Sequence, residues 1–233
     1  MLRLIKLREV VMRQPNYLLY ILVLLLFFSC EENMKQSAAK PSFYYWQTVF
    51  DLSQEEYAYL QRLHSPTLYT RIFDLDTIHQ LHGKVEVVPV SILQMKSPWL
   101  DSTEFIPVIF LTRNAMRVIQ SNIGIENKIS TLLQQWCLKN HIVFNEIQWD
   151  MDWTPSTKES YFDLLQNMKK DSFLSTKTFS ATIRLHQVKH QSLTGIPPVD
   201  KGVLMCYNMG NVKDMQTKNS ILDIDIAKEY LST

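Results

Sequence analysis

The chain has 233 residues, of which 46% are hydrophobic and 20% are charged, as is typical of a globular protein with one sizeable core. The formal net charge of +1 excludes the strongly basic field of nucleic-acid-binding proteins, so we expect no nucleic-acid partner. The six histidines and three cysteines show no metal-ligand spacing, and no glycine-rich nucleotide-binding motif is present. We therefore expect neither a metal nor a cofactor.

The N-terminus has the pattern of a secretory signal. Basic residues precede an apolar run from Tyr17 to Phe28, which Ser29 and Cys30 follow. The run is shorter than the roughly 20 residues that a membrane-spanning helix needs, although an uncleaved membrane anchor is the alternative. Met12 is a second candidate start, which would give a more compact signal.

A cysteine directly after a small residue at the end of such a run resembles the lipobox of bacterial lipoproteins. The resemblance implies cleavage before Cys30, acylation of its thiol and amine, and anchoring in the bacterial cell envelope, with the outer membrane as the expected location. The segment that follows is polar and has no periodicity. We therefore predict a signal peptide at 1–29, a lipidated cysteine and tether at 30–41, and one folded domain at 42–233.

Strand and helix patterns alternate along the folded domain. The continuous apolar run from Phe105 to Leu111 is typical of a buried parallel strand, although Pro107 removes one ladder donor. The alternation predicts an α/β fold, specifically a (β/α)8 TIM-barrel-like fold that is incomplete at the C-terminus because no closing strands follow the last helix. Strands are predicted at Ser42–Phe50, Thr67–Phe73, Val85–Leu93, Phe105–Leu111, Val143–Trp153, Phe179–Gln187 and Gly202–Met209, and helices at Ser53–Leu63, Asn114–Ser121, Ile129–Asn140, Ser156–Met168 and Asn219–Leu231.

The most informative stretch is residues 143–154, V-F-N-E-I-Q-W-D-M-D-W-T. Side chains alternate between the two faces of a strand, and a row of polar groups on one face needs water, a ligand or partner groups. A solvent-facing edge strand would show the same alternation, but the bulky apolar face favours a central strand whose carboxyl end lies where barrel active sites are found. The polar face carries Glu146, Gln148, Asp150 and Asp152, and the apolar face carries Ile147, Trp149, Met151 and Trp153.

Four segments resemble a group of bacterial exported proteins with a glycoside-hydrolase-like TIM barrel. These are I-Q-W-D-M-D-W-T (147–154), A-T-I-R-L-H-Q (181–187), T-G-I-P-P-V-D (194–200) and L-M-C-Y-N-M-G (204–210). The likeness runs from Tyr44 to Leu231, which is nearly all of the mature chain.

A weaker resemblance is to family 18 glycoside hydrolases, the chitinases. Their fourth barrel strand carries D-x-x-D-x-D-x-E; with its last position on Asp152, this chain has Asn145, Gln148 and Asp150 at the other three. Two acidic positions are therefore amides, and the terminal Glu is an Asp. Their sixth strand often ends Met-Tyr-Asp, where this chain has Cys-Tyr-Asn at 206–208.

The second resemblance implies a sugar-related site at these strand ends. In that scheme Asp152 would be the acid and Asp150 its helper, while Tyr207 and Asn208 would hold an acetamido group or a hydroxyl. A structural alternative is that both aspartates pair with Arg184 from the next strand. We therefore predict catalytic roles for Asp150 and Asp152, and substrate-binding roles for Arg184, His186, Tyr207, Asn208, Trp46 and Asp74.

Two functions are compatible with these patterns. One is a cell-envelope lipoprotein with a glycoside-hydrolase-like barrel that acts on or binds a glycan. The other is a catalytically inactive glycan-binding or scaffold lipoprotein. The missing Glu separates the two, so the sequence leaves enzymatic activity open. The expected partners are a carbohydrate and the membrane, which the protein would contact through its N-terminal lipid.

Overall fold

A computed structural model describes residues 40–99, 103–207, 210, 213, 215–217 and 219–231. The predicted signal peptide, Cys30 and Asn208 lie outside the described residues. The strands are β1 (Phe43–Tyr45), β2 (Val49–Phe50), β3 (Thr67–His79), β4 (Val85–Val90), β5 (Gln94–Met95), β6 (Glu104–Leu111), β7 (Glu146–Asp150), β8 (Thr178–Arg184) and β9 (Lys201–Met205). The α-helices are α1 (Gln54–Arg62), α2 (Arg113–Val118), α3 (Ile125–Asn140), α4 (Lys158–Met168), α5 (Leu185–Lys189), α6 (Gln191–Thr194) and α7 (Ile224–Leu231).

Six strands form one parallel sheet in the order β1-β3-β6-β7-β8-β9. Their spatial order follows their order in the chain, as in a TIM-like barrel. α-Helices lie in the connections between these strands, except that between β3 and β6, which contains β4 and β5. The last part of β3 also pairs antiparallel with β4, from Asp74 opposite Val90 to His79 opposite Val85. Strands β2 and β5 make a separate two-stranded sheet.

One hydrogen bond shows that the sheet curls. The Tyr44 hydroxyl on β1 donates to Oε1 of Gln148 on β7, at 2.7 Å. In a flat sheet these strands would be about 14 Å apart, because two strands lie between them and neighbours are about 4.8 Å apart. The described strands therefore form a curled half barrel, and the side chains of Tyr44 and Gln148 face its concave side.

The concave face is polar where β7, β8 and β9 meet. Gln148 is in register with Ser180, and Ser180 with Lys201. On the opposite face Trp149 is fully buried against Phe179, with ring centroids 5.7 Å apart, and its carbonyl accepts a hydrogen bond from Tyr161 of α4. The predicted division of β7 into a polar and an apolar face is confirmed.

Several strand boundaries differ from the prediction. The first predicted strand is divided into β1 and β2, because the Tyr45 hydroxyl donates to the Val49 carbonyl and accepts from the Asp51 amide, which holds the intervening residues in a loop. Strand β7 ends at Asp150, and β8 ends at Arg184, where α5 begins. Strand β3 continues past the predicted end to form the hairpin with β4.

Two local features explain parts of the predicted elements. Ser53 and Glu56 form a reciprocal capping box at the start of α1, where the sequence predicts that a helix begins. Pro107 is tolerated within β6 because the ladder between β6 and β7 begins one residue later, at Val108. Among the described residues, no helix has both the length and the apolar character required to span a bilayer.

Candidate functional site

A cavity of about 380 Å³ lies at the carboxyl ends of β7, β8 and β9, within the usual size range of small-molecule sites. The segment following β7 forms one wall, the β8–α5 junction forms another, and α7 covers one side. The lining residues are Asp152, Arg184, Leu185, His186, Met205, Tyr207, Ile226 and Tyr230. Four of the predicted site residues therefore share this cavity: Asp152, Arg184, His186 and Tyr207.

Gln187 fixes the turn that places two of these side chains. Its Oε1 accepts a hydrogen bond from the Arg184 amide at 2.8 Å, and its Nε2 donates to the Trp153 carbonyl at 3.0 Å. The buried amide thus joins the end of β8 to the segment after β7. As a result, His186 lies in the first turn of α5 and not on the strand face that the sequence predicted.

Asp150 lies beneath the cavity and does not line it. Its Oδ1 accepts hydrogen bonds from Thr182 at 2.5 Å and from Nη2 of Arg184 at 3.2 Å. Only 4% of its side chain is exposed, against 23% for Arg184. Asp150 therefore binds Arg184, as in the structural alternative, and in this arrangement it has no free access to a ligand.

Asp152 is held by a different cation. Arg113, from the start of α2, donates to Oδ2 of Asp152, and Arg113 Nε lies 3.4 Å from the Asp152 carbonyl oxygen. The other carboxylate oxygen, Oδ1, lies 3.4 Å from Nε2 of His186 without hydrogen-bond geometry. The side chain is 32% exposed. Asp152 does not pair with Arg184, so the expectation that Arg184 binds both aspartates is wrong for this one.

Two predicted substrate-binding residues lie elsewhere. Trp46 stacks on Tyr44 with ring centroids 5.6 Å apart and is 38% exposed, but it does not line the cavity. Asp74 is buried on β3, where both of its carboxylate oxygens accept hydrogen bonds from Arg71. Trp46 and Asp74 therefore do not share the cavity with the other predicted site residues. Asn208 belongs to the residues that the structure does not describe.

Below Asp150, the polar residues of β7 have partners inside the half barrel. Lys201 donates to Oε2 of Glu146 at 2.6 Å, and this hydrogen bond raises the pKa of Lys201. Burial raises the pKa of Tyr44 above its usual range, so its hydroxyl remains a donor to Gln148. Burial, followed by the neighbouring Glu146 carboxylate, raises the pKa of Tyr69 to about 12.

Sequence reasoning missed Arg113. It lies 39 residues before Asp152 in the chain, and nothing near Asp152 indicates it. The available signal was its position: Thr112 and Arg113 come directly after the buried strand β6, and polar residues after a parallel strand reach the same sheet edge as those after its neighbours. Tyr230 and Ile226 of α7 were missed because the sequence gives no docking position for that helix.

The chemistry of the cavity is that of hydrogen bonding and charge. Its polar groups are the imidazole of His186, the phenols of Tyr207 and Tyr230 and the largely buried guanidinium of Arg184, with one carboxylate that an arginine already binds. The described residues contain no cluster of three or more histidine, cysteine, aspartate or glutamate side chains able to hold a metal ion.

Comparisons with known proteins show similarity of fold. No protein-family model and no curated protein sequence matches the chain. The Bacillus megaterium QM B1551 spore cortex-lytic enzyme SleL is 16% identical with a TM-score of 0.53, over 84% of this chain and 48% of that one. SleL of Bacillus cereus is 19% identical with a TM-score of 0.50, over 82% and 46%.

A third similar structure is catalytic domain 2 of the Ostrinia furnacalis Group II chitinase, at 11% identity and a TM-score of 0.46, over 82% of this chain and 59% of that one. The chain spans about half the length of the two SleL structures. The half barrel is therefore a fold that this chain shares with the spore cortex-lytic enzymes.

Proposed function

We propose that this chain is a cell-envelope lipoprotein that binds a glycan in the cavity at the carboxyl ends of β7, β8 and β9. The fold shared with the lytic enzymes SleL supports a glycan-related role, as do the motifs that resemble family 18 glycoside hydrolases. Because one fold hosts many functions, our choice between the two functions that the sequence left open is based on the chemistry of the cavity.

The state of the two aspartates is the observation that favours binding over hydrolysis. Glycoside hydrolysis generally needs one acid at the leaving oxygen and a second group that stabilises or attacks the sugar carbon. Here Arg184 and Thr182 bind the buried carboxylate of Asp150, and Arg113 binds that of Asp152. Neither aspartate is free to take the catalytic role predicted for it, whereas His186 and Tyr207 remain exposed for hydrogen bonds to a sugar.

A second candidate is a glycoside hydrolase in which Asp152 is the acid. One observation favours it: the Asp152 side chain lines the cavity, and its Oδ1 makes no hydrogen bond. A substrate that displaced Arg113 would leave this carboxylate beside the glycosidic oxygen, as the chitinase resemblance implies. On this reading the half barrel is part of a (β/α)8 barrel.

A glycan array with the full-length protein tests the binding proposal, and release of reducing ends from every retained glycan tests hydrolysis. We expect retention of at least one glycan without turnover, and equal retention by Asp152→Asn if that residue is not a catalytic acid. Turnover that Asp152→Asn abolishes would establish the hydrolase instead. If no glycan on the array retained the protein, the result would contradict both candidate functions.

The envelope location depends on Cys30, which we propose to be the lipidated N-terminus of the mature protein. The supporting pattern is the short apolar run that ends in Ser29 and Cys30. Mass spectrometry of the mature protein should find diacylglycerol and an acyl chain on Cys30. Recovery of an unprocessed N-terminus with an unmodified thiol from the membrane fraction would show an uncleaved anchor.

A further inference from the structure

We propose that the glycan bound in this cavity carries an anionic substituent, which Arg184 and His186 bind. This inference assumes the proposed function and specifies the chemical class of its ligand. It depends on the charges around the cavity and on the hydrogen-bonding groups that its own residues leave unused.

The acidic groups of the site are already neutralised within the protein. Asp150 is paired with Arg184 and Asp152 with Arg113. Each carboxylate therefore has its own guanidinium, and the two pairs together carry no net charge. An anionic ligand entering the cavity would not face an uncompensated carboxylate, which would otherwise repel it.

Hydrogen-bond donors remain at the cavity after these two pairs are formed. His186 lines the cavity with 48% of its side chain exposed. Lys189 lies next to the cavity, with Nζ 4.8 Å from the ring centroid of Tyr230. Tyr207 contributes an exposed phenol to the same wall. The unpaired groups of this wall are therefore hydrogen-bond donors, which suit an anion.

Arg184 also has an unused donor. It uses Nη2 to bind Asp150, and its Nη1 is buried without a hydrogen-bond partner. A buried polar group without a partner is unfavourable, and a guanidinium presents N–H groups in a planar fork that matches a carboxylate or a sulfate. A ligand anion would supply the missing acceptor after a small movement of the side chains that cover Nη1.

The remaining walls suit a sugar ring better than a free inorganic ion. Leu185, Met205 and Ile226 contribute apolar surface, and Tyr230 contributes an aromatic ring. Sugar rings have apolar C–H faces that pack on such surfaces, whereas a small anion would leave them uncovered. The combination of apolar walls with donors at one side indicates a glycan that carries the anionic group as a substituent.

The test is an array on which each acidic oligosaccharide is printed beside a neutral partner of the same skeleton. Carboxylated glycans are paired with their carboxyl-reduced forms, and sulfated glycans with their desulfated forms, so that the two sources of negative charge are distinguished. Affinities of retained pairs are then measured in solution with the full-length protein. We expect the acidic member of a pair to bind at least about tenfold more tightly, as one charge-assisted hydrogen bond would give.

Three variants and one control locate the effect. His186→Gln should reduce the preference for the acidic member, and Arg184→Gln should abolish it. Because Arg184→Gln leaves Asp150 buried without its cation, the double variant Asp150→Asn with Arg184→Gln provides a neutral pair that should fold. Lys96→Gln is the control, because it also removes one positive charge but from an exposed side chain that does not line the cavity and lies beside Asp51. It should leave the preference unchanged.

The outcomes separate this inference from the function on which it depends. Equal binding to both members of each pair, or binding to neutral glycans alone, would overturn the anionic substituent and leave the glycan-binding proposal standing. A preference that survives in the double variant and in His186→Gln would show that other residues bind the anion, and would overturn the assignment. Absence of binding to any glycan would overturn the proposed function and the inference together.

Discussion

The two ends of β7 use the same alternation of polar residues for different purposes. At the amino end, Glu146 and Gln148 are buried, and Lys201 and Tyr44 reach them across the concave face of the half barrel. At the carboxyl end, the polar row continues to Asp152, which lies at the wall of an open cavity. A row of polar side chains on a strand is therefore accessible to a ligand only where the sheet leaves it open.

Asp150 is the boundary between these two regions. It is as buried as the amino-end residues, yet its partner Arg184 lines the cavity. The comparison between the two ends therefore becomes a comparison between Asp150, the last residue of β7, and Asp152, two residues further along the chain. The four predictions below test it by measuring stability, beginning with the largest expected change.

Asp150→Ala should destabilise the protein by about 3 kcal/mol, because it removes the partner of a largely buried guanidinium and the acceptor of Thr182. Urea denaturation followed by circular dichroism measures this. Asp150→Asn, which keeps an acceptor for Thr182, should cost less. A loss below about 1 kcal/mol in the alanine variant would show that Asp150 belongs with the open end.

Tyr44→Phe should cost about 1 kcal/mol, because it deletes the hydroxyl that donates to the fully buried Gln148 and removes little volume. The same denaturation experiment measures it. Tyr57→Phe, which alters an exposed tyrosine of α1, is the matched control and should be neutral. Equal effects of the two substitutions would remove the evidence that the amino end is closed by this hydrogen bond.

Tyr69→Phe should change how stability depends on alkaline pH. The pKa of Tyr69 is raised to about 12 in the folded state, against about 10 in an unfolded chain. The folded state therefore keeps this proton to higher pH than the unfolded chain. The stabilisation that results is fully present below about pH 10 and is lost as the pH rises towards 12. Between pH 9 and 10.5 the wild type should lose up to about 0.8 kcal/mol more free energy of unfolding than Tyr69→Phe, and less to the extent that solvent screens this partly exposed phenol. Parallel curves for the two proteins would contradict the burial of this phenol.

Asp152→Ala should change stability by no more than about 0.5 kcal/mol, because Asp152 and its partner Arg113 are both substantially exposed. A destabilisation equal to that of Asp150→Ala would mean that the two aspartates have one structural role, and the contrast between the ends of β7 would fail.

Much of the fold could be predicted because local patterns determine it. The apolar alternation of Ile147 and Trp149 indicated the buried face of β7, and the capping box at Ser53 located the start of α1. The strand order also agreed, since consecutive parallel strands joined by helices lie side by side. The hairpin of β3 with β4 was not predicted, because the apolar run of Val85–Val90 has the same pattern in a parallel or an antiparallel strand.

The site was predictable in part. Asp152, Arg184 and Tyr207 were brought together by a rule that needs only chain order and strand direction. The sequence could not predict that Arg113 binds Asp152 and that Arg184 binds Asp150. Each pair joins residues far apart in the chain, and the spacing of residues along the chain does not give the distance between them in the fold. The catalytic or binding role of these residues remains a prediction for the experiments above.

The described sheet ends at β1 and β9, and this bears on how the protein behaves when it is concentrated. The outer edge of each strand has no sheet partner among the described residues, and an uncovered edge is a template on which another chain can add a strand. The three residues of β1 offer a short template, whereas β9 offers five, with Leu204 partly exposed. If lipidation confines the protein to a bilayer surface, neighbouring copies meet often and in one orientation. We therefore expect β9 to be the edge at which self-association begins.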